Sequence, residues 1–324
     1  MPATHQLSSE FMHDLKNGIL SPLLQEVRDD DTLLMGLRGT YITVYYRGGQ
    51  LLKVTRDSDG YSLTFDSKYD TNSVLDGRLA RHGCQDILKR RIRSIDDTAQ
   101  VVSILSELKR LMDRHPQVKS GLEREFQQVT ARINSRSKSS NSSHYFITDI
   151  EHKYDDARYD MLGVRWRRNL EHRDRKCLVP VLFEMKYGLD ALAGTSGVIG
   201  HLKKTLDHLT NAAFLTGLRK NIEAQFSQLS QLDLIKYERG KSTEEFHTVV
   251  DHIQIVLVLA EYVPHSEKLM PILDECDKRI AEFNTPGLQV DLRFASASLC
   301  GYAMHECTML TTEQVRLLLD TWKS

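Results

Sequence analysis

The stretch Leu178–Gly188, LVPVLFEMKYG, sets a glutamate, Glu184, and a lysine, Lys186, two residues apart in an apolar run. Successive side chains on a strand alternate faces, so Glu184 and Lys186 point one way while Val181, Phe183 and Met185 point the other. An earlier apolar run, RYDMLGV, carries a lone carboxylate at Asp160, on the face of Leu162 and Val164. If the two runs pair as neighbouring strands, Asp160 and Glu184 meet at one rim. Carboxylates so placed repel one another and resist burial, so the cluster needs a cation. Two carboxylates plus water suit Mg2+, which prefers oxygen ligands and keeps several waters.

A (D/E)xK triplet alone is a weak signal, because six occur here, at Asp14, Asp66, Glu107, Glu151, Asp174 and Glu184. Asp14 and Glu107 fall in helical patterns, Asp66 at a strand end and Asp174 in a basic connector. Glu151 lies on a strand and shares a face with Asp149, but no aspartate-bearing strand precedes it. That leaves Glu184 first and Glu151 as a neighbour of the site.

The elements that carry these residues follow from hydrophobic period. SSEFMHDLKNGILSPLLQEV reads as helix that Pro22 kinks or divides. LLMGLRG, YITVYY, LLKVT and YSLTF read as four strands of a small antiparallel meander, with turn residues at 47–50 and 57–60. Residues 85–114 read as helix ending near the His115-Pro116 break. SGLEREFQQVTARIN is a helix with Leu122, Phe126, Val129 and Ile133 on one face, followed by SRSKSSNSS, a polar and mobile loop. YFITDIEHKY, RYDMLGVRW and CLVPVLFEMKY read as three strands, and helices follow from GTSGVIGHLKKTLDHL and over about 211–232. HIQIVLVLAEYV and VDLRFASASLCGYAM are two more strands around the helix EKLMPILDECDKRIAEF, and the helix TTEQVRLLLDTW comes last. The expected class is α/β (α+β) in two domains. Residues 1–115 form an N-terminal helix and β-meander module for substrate, partner or dimer recognition, and 116–324 carry the charged strands.

Composition excludes several classes. With Lys+Arg 43 against Asp+Glu 44 in 324 residues, any polyanion must be held by local patches and not by a global field. The longest apolar run, Ile253–Ala260, falls far short of the roughly 20 residues of a membrane span, and MPATHQLSSEF lacks the pattern of a signal peptide. Five cysteines without a CxxC pair imply reduced thiols and a cytoplasmic setting. Histidine spacings fit no zinc site, and no nucleophile elbow, Walker loop or dinucleotide fingerprint occurs.

Asp160 in RYDML and Glu184 with Lys186 in FEMKYG, preceded by an acidic helix, resemble the PD-(D/E)XK nuclease superfamily over about residues 117–300. Helix angles leave Glu123 and Glu125 nearly equivalent at the two edges of the apolar face; the resemblance selects Glu125. Tyr159 stands where the family motif has proline. The resemblance implies a restriction-endonuclease-like mixed sheet flanked by helices, with Glu125, Asp160, Glu184 and Lys186 as the catalytic set. Asp160, Glu184 and Glu125 become metal ligands, joined by the Met185 carbonyl, for Mg2+ with Mn2+ as a substitute. The ion polarises a phosphate and activates water, and Lys186 orients that water or stabilises the growing charge.

Around this set lie candidate phosphate contacts. LAGTSGVIG places Ser196 where a loop meets a helix N-terminus, with His201, Lys203 and Lys204 following. The same residues are equally an ordinary Ser or Thr cap and a solvated face. Arg167 and Arg168 crowd the connector RWRRNLEHRDRK with Arg165, Arg173, Arg175 and Lys176, and KRRIRS at 89–94 is a second basic run. The expected activity is metal-dependent phosphodiester hydrolysis, in DNA ahead of RNA, and the resemblance suggests a role in defence against foreign DNA. Expected partners are nucleic acid and a second copy or a partner defence protein, with no membrane. The alternative is a catalytically inactive nuclease-like core that binds nucleic acid or assembles, its Asp, Glu and Lys being an ion-pair network.

Overall fold

The computed structural model describes residues 5–70, 84–114, 121–154, 157–167, 173, 178–188, 190–194, 197–237, 246–261, 268–297 and 309–321. Among them lie nine helices and two sheets, a mixed α/β (α+β) chain. Its contacts divide it into two units, residues up to Gln128 with Gln228–Leu234, and Val129–Ser227 with residues from Ile235 onward. The division falls inside the helix Leu122–Ser135, past the His115-Pro116 break, which lies outside the described residues.

In the N-terminal unit the first helical pattern is two helices, α1 (Ser9–Lys16) and α2 (Ser21–Asp29). Pro22 sits in the first turn of α2, where its missing N–H breaks no hydrogen bond. Strands β1 (Leu33–Leu37), β2 (Tyr41–Tyr46), β3 (Gly49–Asp57) and β4 (Gly60–Thr64) form the expected antiparallel meander in that order. The helical run over 85–114 is interrupted, giving α3 (Cys84–Lys89) and α4 (Ile95–Arg114). Between them Ile92 exchanges both backbone hydrogen bonds with Tyr61 of β4. A helical residue turns those groups along its own axis, so pairing with the sheet breaks the helix. The α4 helix packs against α2 and β3.

The other unit holds the charged strands. Helix α5 (Leu122–Ser135) leads to β5 (Tyr145–Tyr154), β6 (Ala157–Arg165) and β7 (Val179–Tyr187). Then come α6 (Val198–Leu209), α7 (Ala212–Gln231), β8 (His252–Ala260), α8 (Leu269–Phe283), β9 (Gln289–Ala297) and α9 (Thr312–Thr321). The sheet order is β5-β6-β7-β8-β9, antiparallel as far as β7 and parallel from β7 to β9. Parallel strands are covered on both faces, which is why β7 and β8 are buried along nearly their whole length and read as largely apolar runs, Glu184 and Lys186 apart. Gly163 of β6 allows the close approach of β5, because a Cβ there would lie 2.2 Å from the Phe146 carbonyl oxygen. Phe146, Trp166, Phe226, Tyr237 and Phe246 form an aromatic cluster with ring centroids 4.7–6.3 Å apart.

The polar run at 135–143, expected to be a mobile loop, is instead a packed turn. Ser135, Ser140 and Ser143 are buried. The Ser143 hydroxyl bridges Asn134 Oδ1 and the Tyr145 carbonyl at 2.9 Å each, and Ser140 donates to the Lys236 carbonyl at 2.7 Å. Hydroxyls satisfy buried backbone there, so a hydrophilic sequence is compatible with a tight structure.

Candidate active site

Strand β7 is the centre of the site. The β6–β7 ladder runs from Arg165↔Val179 to Met161↔Phe183, and the next antiparallel step sets Asp160 across from Glu184 on one face of the sheet. There the ladder gives way to a side chain: the Met185 N–H donates to Asp160 Oδ2 at 2.8 Å. The carboxylate takes the place of a backbone carbonyl, and the β6–β7 pairing ends at that point.

Glu184 and Lys186 are buried, at 8% and 5% exposure, and Lys186 Nζ lies 2.5 Å from Glu184 Oε1. Helix α6 packs on β6 and β7, and from its first turn His201 brings Nδ1 to 2.7 Å from the same oxygen. Glu184 Oε1 is sealed from solvent, yet neither nitrogen meets it along a hydrogen-bonding direction. The structure thus brings Asp160, Glu184 and Lys186 together and adds His201. In the sequence His201 is equally a nucleic-acid backbone contact or part of a solvated face. Its signal was position, in the first turn of the helix that follows the charged strand.

The donor set fits a divalent cation. It offers two carboxylates from adjacent strands on one face, one with a buried oxygen lacking an aligned partner. Asp160 and Glu184 would hold the ion; Lys186 and His201 are the neighbouring cationic or neutral nitrogens that now touch Glu184.

In the N-terminal unit Arg47 donates from Nε and Nη2 to the two carboxylate oxygens of Glu125, at 3.0 and 3.1 Å, and from Nη1 to Asp113. Glu125, and after it Asp113, pushes the Arg47 guanidinium further above its already high pKa. Glu125 is therefore already engaged by a fixed cation. Arg167, Lys203 and Lys204 are exposed; Arg168, Ser196, Arg175 and Lys176 lie outside the described residues. Helix α6 takes Gly197 as its N-cap, which offers no side chain to its first-turn N–H groups.

Two basic features are structural. Arg173 is buried and donates to the carbonyls of Ser143 at 2.9 Å, Trp166 at 3.0 Å and Asn141 at 2.7 Å, with its guanidinium over the Phe146 and Trp166 rings. Arg165 is buried beside Asp291. In the run at 89–94, Arg91 and Arg93 pair with Asp57 and Asp59 of the β3–β4 turn. Arg91 and Arg93 of that run, like Arg165 and Arg173 of the connector, are used for internal contacts.

The competing triplet at Glu151 also resolves. A bulge between Ile147 and Asp149 and a positive φ of 52° at Glu151 break the alternation of β5. Asp149 accepts from the Ile150 N–H and contacts His152 Nδ1 at 2.5 Å, in a buried network with Asn221 and Gln225. Glu151 instead pairs with Arg158. Among the described residues no helix is long and apolar enough to cross a membrane.

Comparison with family models, with curated proteins and with solved structures gave no match.

Proposed function

We propose that this chain is a divalent-metal-dependent nuclease that hydrolyses phosphodiester bonds, in DNA ahead of RNA, on a restriction-endonuclease-like core. The observation that carries the reading is the cross-strand placement of Asp160 and Glu184, with Lys186 on the same face, where β6 and β7 stop pairing. The element order supports it: a helix, three antiparallel strands, helices, then a strand parallel to the third. Buried ionic groups are poor stabilisers, so a cluster of them marks a site more often than a brace.

Asp160 and Glu184 would hold the ion, which supplies Lewis acidity toward a phosphate and an acidified water. Lys186, freed from Glu184 when a stronger cation takes that oxygen, offers a fixed positive charge beside the scissile group. A preorganised donor of this kind is typically worth roughly 3–4 kcal/mol in the transition state. The exposed Lys203 and Lys204 lie further along α6, where a phosphate backbone could be tracked.

The test is cleavage of plasmid, single-stranded DNA and RNA by purified protein with MgCl2 or MnCl2. Wild type should cut, and Asp160→Asn and Lys186→Met should lose at least about 100-fold in rate. If wild type cuts nothing, or the variants cut equally well, the enzyme reading fails. The contacts of Lys186 and His201 with Glu184 favour the second reading, a nuclease-like core that binds nucleic acid or assembles without cutting. Retained binding without cleavage in wild type would establish it.

A further inference from the structure

Two nitrogens press on one buried oxygen, and one of them is placed as a ligand is. His201 Nδ1 lies 2.7 Å from Glu184 Oε1, but the two atoms are not aligned for a hydrogen bond. Adjacent ligands of an octahedral ion held at about 2.1 Å stand about 3.0 Å apart. Atoms that touch without aiming at each other suit a third atom between them. His201 is also 31% exposed on the first turn of α6, so its ring is not sealed in the core.

A nitrogen donor changes which ion the site prefers. Mg2+ is hard and favours an all-oxygen shell, whereas imidazole suits first-row transition metals; a set of two carboxylates and one imidazole lies between. We propose that His201 is the nitrogen ligand of this site and that the site takes Mn2+ in preference to Mg2+. The proposal rests on the reading of Asp160 and Glu184 as carboxylate ligands.

The experiment is Mn2+ binding to the full chain, followed by electron paramagnetic resonance without nucleic acid. Wild type, His201→Ala, His201→Asn and Asp160→Asn are compared, with circular dichroism to verify folding. Bound Mn2+ in wild type should show the electron spin-echo modulation of a coordinated imidazole nitrogen. Both His201 variants should lose that modulation and bind Mn2+ on the order of 10–100-fold more weakly, the loss seen even for residues that only support a ligand. Mg2+ should displace Mn2+ from the variants at much lower concentration than from wild type.

If Mn2+ binds but nitrogen modulation is missing, or persists unchanged in the His201 variants, His201 is not the ligand and the carboxylate reading stands alone. If wild type binds no Mn2+, or Asp160→Asn binds it equally well, the carboxylate reading falls and takes this proposal with it.

Discussion

Replacing Lys186 by Met isolates what holds Glu184 when no metal is bound. The two side chains are 7% and 10% exposed and 2.5 Å apart, so this is a buried pair. Removing one partner of a buried pair costs about 3–5 kcal/mol, because the other charge is left uncompensated. Met keeps the apolar volume of the lysine stem, and His201 still touches the same oxygen, so the lower end of that range applies. A loss of about 3 kcal/mol lowers Tm by about 6–12 °C for a unit of this size. If the proposed site binds it, Mn2+ at about 100 times its Kd should return about 2.7 kcal/mol, which nearly cancels the deficit. Wild type should gain less, since the ion must first displace Lys186. Calorimetric melting of both proteins in EDTA and in MnCl2 measures all four states. A deficit in EDTA under about 1 kcal/mol, the worth of an exposed pair, would refute the burial argument. An equal Mn2+ shift in both proteins would refute the competition between lysine and metal.

Asp160→Asn keeps an oxygen for the Met185 N–H and should retain stability while losing metal binding; Asp160→Ala should cost a further 1–3 kcal/mol or so, read by urea unfolding. Arg173→Ala should destabilise by about 3 kcal/mol by leaving buried carbonyls unpaired, yet leave the salt dependence of nucleic-acid binding unchanged, since this arginine is spent inside the fold. Burial, reinforced by Arg165 and Arg293 against the opposing Asp291 and Asp251, pushes the His252 imidazole below its ordinary pKa. The unfolded chain then takes up a proton near pH 6.5 before the folded one does, so stability is full above that pH and is lost as pH falls toward the folded value. A pH series of melting curves should show a smaller acid loss for His252→Gln than for wild type.

Much of the fold was legible because period and burial coincide. The meander strands alternate and end in turn residues, and β7 and β8 announce themselves as largely apolar runs because both of their faces are buried. What escaped depends on partners distant in sequence. Ile92 leaves its helix for Tyr61, and nothing local marks that choice. Arg173 and Arg91 look like phosphate ligands in a list of charges, but Trp166 and Asp57 claim them. The serines of 135–143 look loose because hydroxyls are polar, yet those of Ser135, Ser140 and Ser143 pair with buried backbone carbonyls. Glu125 was chosen by resemblance between two equivalent helix edges, and only Arg47, over 70 residues away, shows that its carboxylate is taken.

The location of the charged cluster follows from the point at which the sheet changes direction. Strand β7 is antiparallel to β6 and runs parallel to β5, β8 and β9, so four carboxyl ends meet the amino end of β6 at one rim. Open α/β sheets leave their ligand crevice beyond such carboxyl ends, where the chain departs into helices and no further strand covers the rim. Here α6 departs from that rim, which is what carries His201 back onto Glu184. Asp160 accepts the Met185 N–H at the point where the β6–β7 ladder ends, a structural role that is separate from the chemistry proposed for it. A charged residue in the middle of the ladder would cost stability with nothing gained. At the rim, the same carboxylate satisfies a backbone donor with one oxygen and stays part-exposed on the Glu184 side of the sheet, where the proposed cation would meet it.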